Sequence, residues 1–243
     1  MRMRQLIIVL ACMLLVAVSA AQMSTKPAAG QALAVSASAA SAEALLKGSQ
    51  AAWNQVPVKH VALNRTPPMF DTDEPSTPEI PVVDVRLTRV SGKLLVNMVW
   101  KDATQDAATL AKAPGTPYEG RFLKVPTEAD DRFFDAAAVM FPSKTGAEAI
   151  APSLQMGDPE HAVDIYYWNA ARGPMLMQGQ GRSTTRRTGQ TFSAMGSYQN
   201  GQWNVTLELP NLPAGTTVAF AVWNGSQKDR DGRKYFSVWQ VLE

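Results

Sequence analysis

Phe192 to Leu209 reads FSAMGSYQNGQWNVTLEL. Asn200-Gly201 is a pair favoured at the centre of a type I′ turn, so the stretch folds back on itself as a β-hairpin. In its second arm Trp203, Val205, Leu207 and Leu209 share one face, and Asn204, Thr206 and Glu208 the other. A period of two marks a strand with one buried side. The same pattern extends outward. Val83, Val85 and Leu87 alternate with Asp84, Arg86 and Thr88, Ser91-Gly92 makes a turn, and Leu94, Val96, Met98 and Trp100 line the next strand. Val163 to Trp168, Val218 to Trp223 and Tyr235 to Leu242 add three more strands, and Asp135 to Pro142, DAAAVMFP, reads as a buried one. Many short strands with Gly and Pro between them, and no helix long enough to cover a parallel sheet, predict a mainly β chain. The expected architecture is an antiparallel, immunoglobulin-like β-sandwich. Two long irregular segments, Lys101 to Asp131 and Gly173 to Gln190, interrupt it, and loops of that length are commonly functional.

The chain begins with Arg2 and Arg4, then an apolar run from Leu6 to Val18, then small residues at Val18-Ser19-Ala20. This is the pattern of a cleaved secretory signal, and the run is short for a membrane span. Residues 1–21 are therefore expected as signal peptide, 22–52 as an Ala/Ser-rich linker, and 53–243 as one folded domain. Ala40 to Gln50 can form a short helix with Ser41 as its cap. The expected location is the periplasm, with no stable membrane anchor.

Composition excludes several chemistries. The single cysteine, Cys12, lies inside the apolar run. The exported chain then has no disulfide, no covalently attached c-type haem, no iron–sulfur cluster and no thiolate nucleophile. His60 and His161 are the two histidines, too few for a clustered zinc site. The net charge of +2 includes the signal arginines, so nothing points to nucleic acid. No serine stands in a nucleophile elbow and no spacing suggests a histidine–carboxylate pair, so no catalytic constellation is present.

Three features carry chemistry. In Val218 to Trp239, VAFAVWNGSQKDRDGRKYFSVW, Lys234 stands where a polar loop re-enters an apolar strand. An ammonium group there must reach water or bind something, because an unpaired buried charge is costly. In the strand DAAAVMFP, Ala136, Ala138 and Met140 share a face, and two small residues beside a methionine leave a slot or pack tightly. Met156 lies in the loop PSLQMGD before the strand AVDIYYW, with Gly157 after it. The cluster Lys228-Asp-Arg-Asp-Gly232 reads as a solvated turn.

These segments together resemble the haem-binding domain of the ethylbenzene dehydrogenase family, the gamma subunit of type II dimethyl sulfoxide reductase-family molybdoenzymes. The matching pieces are Trp100-Lys-Asp-Ala-Thr104, Asp135 to Pro142, Met156-Gly157-Asp158 followed by Tyr166-Tyr-Trp168, Gly201-Gln-Trp203, and above all Val218 to Trp239. The resemblance covers residues 53 to 243. It implies a non-catalytic b-type cytochrome subunit whose one haem b sits in a pocket formed by the long loops, with methionine and lysine as iron ligands. The lysine maps to Lys234; the methionine maps to Met156, or else Met140. Arg182, Arg186 and Arg233 are candidates to face the haem propionates. The implied partners are a molybdopterin catalytic subunit, an iron–sulfur subunit and a soluble periplasmic cytochrome c, with electrons passing between the iron–sulfur subunit and that cytochrome. The alternative is a haem-free secreted carbohydrate- or ligand-binding sandwich presenting Trp168, Trp223 and Trp239.

Overall fold

A computed structural model describes residues 30–67, 79–107, 133–145 and 151–243. The expected signal segment, with Cys12, and most of the loop 101–131 lie outside the described residues. Two sheets pack face to face. The smaller is built from β2 (Ser36–Ala37), β3 (Lys59–Ala62), β5 (Val82–Val90), β6 (Lys93–Lys101), β11 (Ala194–Gln199) and β12 (Gln202–Pro210), in the order β11-β12-β6-β5-β2, with β3 also on β5. The larger contains β1 (Ala32–Leu33), β4 (Asn64–Arg65), β7 (Ala136–Pro142), β8 (Val163–Asn169), β9 (Gly173–Gly179), β10 (Arg186–Arg187), β13 (Thr217–Trp223), β14 (Tyr235–Phe236) and β15 (Gln240–Leu242). Its order is β1-β15-β13-β7-β8-β9-β10, and β14 bridges β13 and β4.

The hairpin is as the sequence predicts. β11 and β12 pair antiparallel from Gln199↔Gln202 outward, and Asn200 and Gly201 both take positive φ, 52° and 73°, as a type I′ turn requires. Trp203, Val205, Leu207 and Leu209 meet Leu94, Val96, Met98 and Trp100 in the core between the sheets. The larger sheet answers with Ala137, Val139, Phe141, Trp168, Val218, Phe220 and Val222.

Two expectations change. The lead-in read as a linker enters both sheets: β1 pairs parallel with β15 and β2 parallel with β5, so the sandwich is mixed rather than purely antiparallel, and Leu33 is fully buried. Short Ala/Ser segments have weak strand propensity; here an existing sheet edge supplies the partner. The helix Ala42–Leu46, capped by the Ser41 side chain, and the helix Gln50–Trp53 then cover the outer face of the smaller sheet with Leu45, Trp53 and Val56 against Leu95. The stretch 173–190 also contains a full strand, β9, paired along its length with β8.

Candidate haem site on the outer face of the larger sheet

Strand alternation turns a second set of side chains away from the core. β7 presents Ala136, Ala138 and Met140, β13 presents Ala219, Ala221 and Trp223, and β8 presents Val163, Ile165 and Tyr167. The registers Ala138↔Ala221, Ala136↔Trp223 and Met140↔Ala219 set four alanines side by side. They form a low floor, because an alanine side chain rises only one methyl above the backbone. Trp223, Tyr167, Met177, Trp239, Leu154, Met156 and Phe236 stand around it. Tyr167 meets Trp223 edge-on, with centroids 5.2 Å apart.

Lys234 and Met156 converge on this face. Lys234 precedes β14, and its carbonyl accepts from both the backbone N–H and the hydroxyl of Thr66, each at 2.9 Å. Its Nζ lies 3.8 Å from the Met156 sulfur and 5.6 Å from the Trp223 ring centroid. Burial lowers the Lys234 pKa, and the nearby Asp231 carboxylate opposes that shift. The polar atom this amine meets is a thioether, which accepts a hydrogen bond weakly. Met156 sits at φ 62°, an uncommon conformation for a side-chain-bearing residue. Its carbonyl accepts from Gly181 N–H at 2.8 Å. A Cβ on Gly157 would stand 2.6 Å from the His161 carbonyl oxygen, so the turn after Met156 closes only on a glycine.

Met140 shares the floor's face but not its lysine end. It pairs with Ala219, four residues along β13 from Trp223, the residue Lys234 lies against. At a strand rise of about 3.3 Å per residue that separation is roughly 13 Å.

The loop 225–233 that delivers Lys234 is anchored by a carboxylate the sequence reading placed in solvent. Asp229 is 1 % exposed. Arg65 Nη1 donates to Asp229 Oδ2 at 2.7 Å and its Nη2 lies 2.7 Å from Oδ1, while Arg233 Nε is 3.5 Å from Oδ1. Burial pushes the Asp229 carboxyl up, and the Arg65 hydrogen bond draws it back. Arg65 also lies over the Tyr235 ring, 4.5 Å from its centroid. The solvated-turn reading of Lys228 to Gly232 is thus corrected at Asp229. Its partner is 164 residues away in the chain, and no local pattern reveals it.

A second buried carboxylate precedes β7 and faces the core between the sheets rather than the floor. Asp135 accepts from Trp203 Nε1 at 2.8 Å, Asp106 N–H at 2.7 Å and Gly225 N–H at 2.9 Å. Asp102 closes a local turn, accepting from Thr104 N–H at 3.2 Å, and is only 4 % exposed. Burial and then the charge of Asp135 push its pKa up to about 7.

The chain is 30% identical over 200 residues to a protein of Haloferax mediterranei named as a respiratory nitrate reductase heme subunit, ORF7, covering 77% of this chain and 64% of that one. It is 30% identical over 211 residues to the dimethylsulfide dehydrogenase subunit gamma of Rhodovulum sulfidophilum, covering 76% and 70%. The chlorate reductase subunit gamma of Ideonella dechloratans is 33% identical over 168 residues, covering 63% and 61%. The chain belongs to the gamma-subunit family of type II molybdoenzymes, the haem subunits. It spans about two thirds of the length of these relatives. No family model matches it.

The outer face of this gamma-family chain brings an amine and a thioether together beside a patch of alanines that is itself covered, Ala136, Ala138, Ala219 and Ala221 being 0, 2, 4 and 9 % exposed. Among the described residues no three His, Cys, Asp or Glu side chains gather as a metal site; the floor brings together the Lys234 amine and the Met156 thioether. The arginines divide. Arg233 adjoins Lys234 in sequence. Arg182 is exposed and follows Gly181, the residue that holds the Met156 carbonyl. Arg186 lies on β10 at the sheet edge, its Nη2 3.4 Å from Gln178 Oε1. His161 bonds Asp158 and His60 bonds Asp84, each through Nδ1.

Proposed function

We propose that this chain is a b-type cytochrome subunit passing electrons between the iron–sulfur subunit of a molybdenum oxidoreductase and a soluble periplasmic cytochrome c. The observation that carries the reading is the 3.8 Å approach of Lys234 Nζ to Met156 Sδ above the alanine floor. Lys234 and Met156 would be the residues to hold the iron, through the amine nitrogen and the thioether sulfur. The sequence holds no CxxCH pair for covalent attachment, which supports haem b. Bound there, haem supplies a one-electron couple.

The chain's own residues divide the remaining work. Burial favours the neutral amine of Lys234, the form able to donate its lone pair to a metal. Met156 offers a soft thioether, and a methionine ligand raises a haem potential. The small side chains of Ala136, Ala138, Ala219 and Ala221 would let a flat group lie close to the sheet, and Trp223, Tyr167, Trp239 and Met177 would shield it from water. Arg233, Arg182 and Arg186 are assigned to the propionates. The relatives' names, as heme or gamma subunits of reductases and a dehydrogenase, support a catalytic molybdopterin subunit and an iron–sulfur subunit as partners, and a non-catalytic role. Export to the periplasm rests on the N-terminal apolar segment; no helix among the described residues is long and apolar enough to cross a membrane.

The glycan-binding alternative needs exposed rings, whereas Trp168, Trp223 and Trp239 are 5, 7 and 2 % exposed. A pyridine haemochrome assay on the purified protein is expected to show one b-type haem, with a low-spin spectrum that changes in Lys234→Ala. Absence of haem after reconstitution would overturn the reading.

A further inference from the structure

Met156 reaches Lys234 from a backbone that is uncomfortable twice over. Met156 and Gly157 both have positive φ, 62° and 83°. A methionine stays in that region only when its surroundings over-determine it. The surroundings are one short loop closed on itself by one carboxylate. Asp158 Oδ2 accepts from Ser153 N–H at 3.3 Å, before Met156 in the chain. Its Oδ1 accepts from Glu160 N–H at 3.2 Å and His161 N–H at 3.0 Å, after Met156, and is 2.7 Å from His161 Nδ1. Backbone bonds complete the ring: Gly157 N–H to Ser153 O at 2.8 Å, and Asp158 and His161 to each other's carbonyls at 3.1 Å. Trp239 Nε1 donates to Pro152 O at 2.8 Å and pins the loop to the segment running on from β14. On the other side Gly179 makes room, since a Cβ there would meet the Met156 carbonyl at 2.7 Å and the Met156 Cβ at 3.0 Å.

We infer that Asp158 is a positioning residue for the sulfur: its carboxylate ties both ends of the loop 153–161 and so holds Met156 in the left-handed conformation that aims its thioether at Lys234. This inference rests on the haem reading above. The Asp158 contacts all lie within the loop, so it acts through the backbone of Met156. Without it the loop relaxes to ordinary φ values, the thioether swings away, and the lysine is left as the single protein donor.

The test uses the full-length purified protein and three variants, Asp158→Ala, Asp158→Asn and Gly179→Ala, with haem content, absorption spectrum and midpoint potential measured on each. Asp158→Ala should retain b-type haem but lose the low-spin signature of two strong ligands, with the methionine-bound fraction falling roughly tenfold, as expected for losing a multidentate carboxylate cap, and the potential dropping. Asp158→Asn keeps the Oδ1 acceptor for Glu160 and His161 but loses the Oδ2 tie to Ser153, and should show a low-spin fraction between those of Asp158→Ala and wild type. Gly179→Ala presses on the Met156 carbonyl from the opposite side and should reproduce the Asp158→Ala spectrum. A wild-type protein without haem refutes the haem reading itself. Wild-type low-spin haem with an unchanged spectrum and potential in Asp158→Ala overturns the positioning role alone. If Asp158→Ala yields no folded protein, the other two variants decide: a wild-type spectrum and potential in Gly179→Ala, or in Asp158→Asn, would refute it.

Discussion

Replacing Arg65 by methionine tests whether the loop that carries Lys234 is held by a buried ion pair. The Asp229 side chain is fully buried, and that of Arg65 is 14 % exposed. Both carboxylate oxygens face the guanidinium at 2.7 Å. Burial still outweighs that attraction in setting the Asp229 pKa, which is raised. Such a pair adds little net stability when intact, but removing one partner leaves an uncompensated charge costing about 3–5 kcal/mol. Asn224 N–H at 3.1 Å and Arg233 remain as partial substitutes, and methionine keeps some of the packing on Tyr235, so the lower figure of about 3 kcal/mol applies. For a chain of this size that corresponds to a fall in Tm of roughly 6–12 °C. The deficit has a pH signature. Without Arg65 the native Asp229 pKa rises further, so the folded state holds a proton that the unfolded state releases, and stability is lost as pH rises toward that raised pKa. Denaturant titrations at fixed haem loading should therefore show a smaller deficit at pH 5 than at pH 8. Arg65→Met combined with Asp229→Asn should recover much of the loss, because the charge goes with its partner. A single-variant cost under about 1 kcal/mol, or a double variant whose cost is the plain sum of the singles, would refute the reasoning.

Asp102 gives a second pH test. With its pKa raised from 3.8 to about 7, the native state keeps a proton that the unfolded state loses, so the wild type forfeits roughly 4 kcal/mol between those pH values. Asp102→Asn should remove that slope, its stability relative to wild type improving toward pH 8; a wild-type–variant difference that stays constant from pH 4.5 to 8 would contradict it. Ala138→Phe should fill the floor between Ala221 and Tyr167, abolishing haem uptake while far-ultraviolet circular dichroism stays β-like, at an overpacking cost of about 1–3 kcal/mol. Full haem loading in that variant would move the cofactor off this face. Met156→Ala should change the absorption spectrum and lower the potential, and Met140→Ala should change neither; the reverse result would exchange the two methionines.

The strands were legible because their signal is local. Period-two alternation from Val83 to Leu87 and from Trp203 to Leu209, and the Asn200-Gly201 turn, reappear residue for residue in β5, β12 and the hairpin between β11 and β12. β9 was not legible, since GPMLMQG has no alternation and begins with glycine and proline. Nor were β1 and β2, whose Ala/Ser sequence forms a strand only once β15 and β5 offer an edge. Around the site, Lys234, Met156 and the alanine face could each be picked out singly. Asp229 could not: its role depends on Arg65, brought beside it by the pairing of β4 with β14.

The sequence by itself determined a mainly β chain with a single cysteine confined to its N-terminal apolar run, which removes covalent haem and disulfides from the folded part whatever shape that part takes. It also determined that Ala136, Ala138 and Met140 share one face, because strand parity is a property of the backbone. Only the tertiary structure decided that this face lies outside the core, beside Lys234, and that Met156 rather than Met140 stands 3.8 Å from the amine. Proximity between residues 78 positions apart is set by sheet register and by how one loop closes, and neither is written in the spacing of the chain.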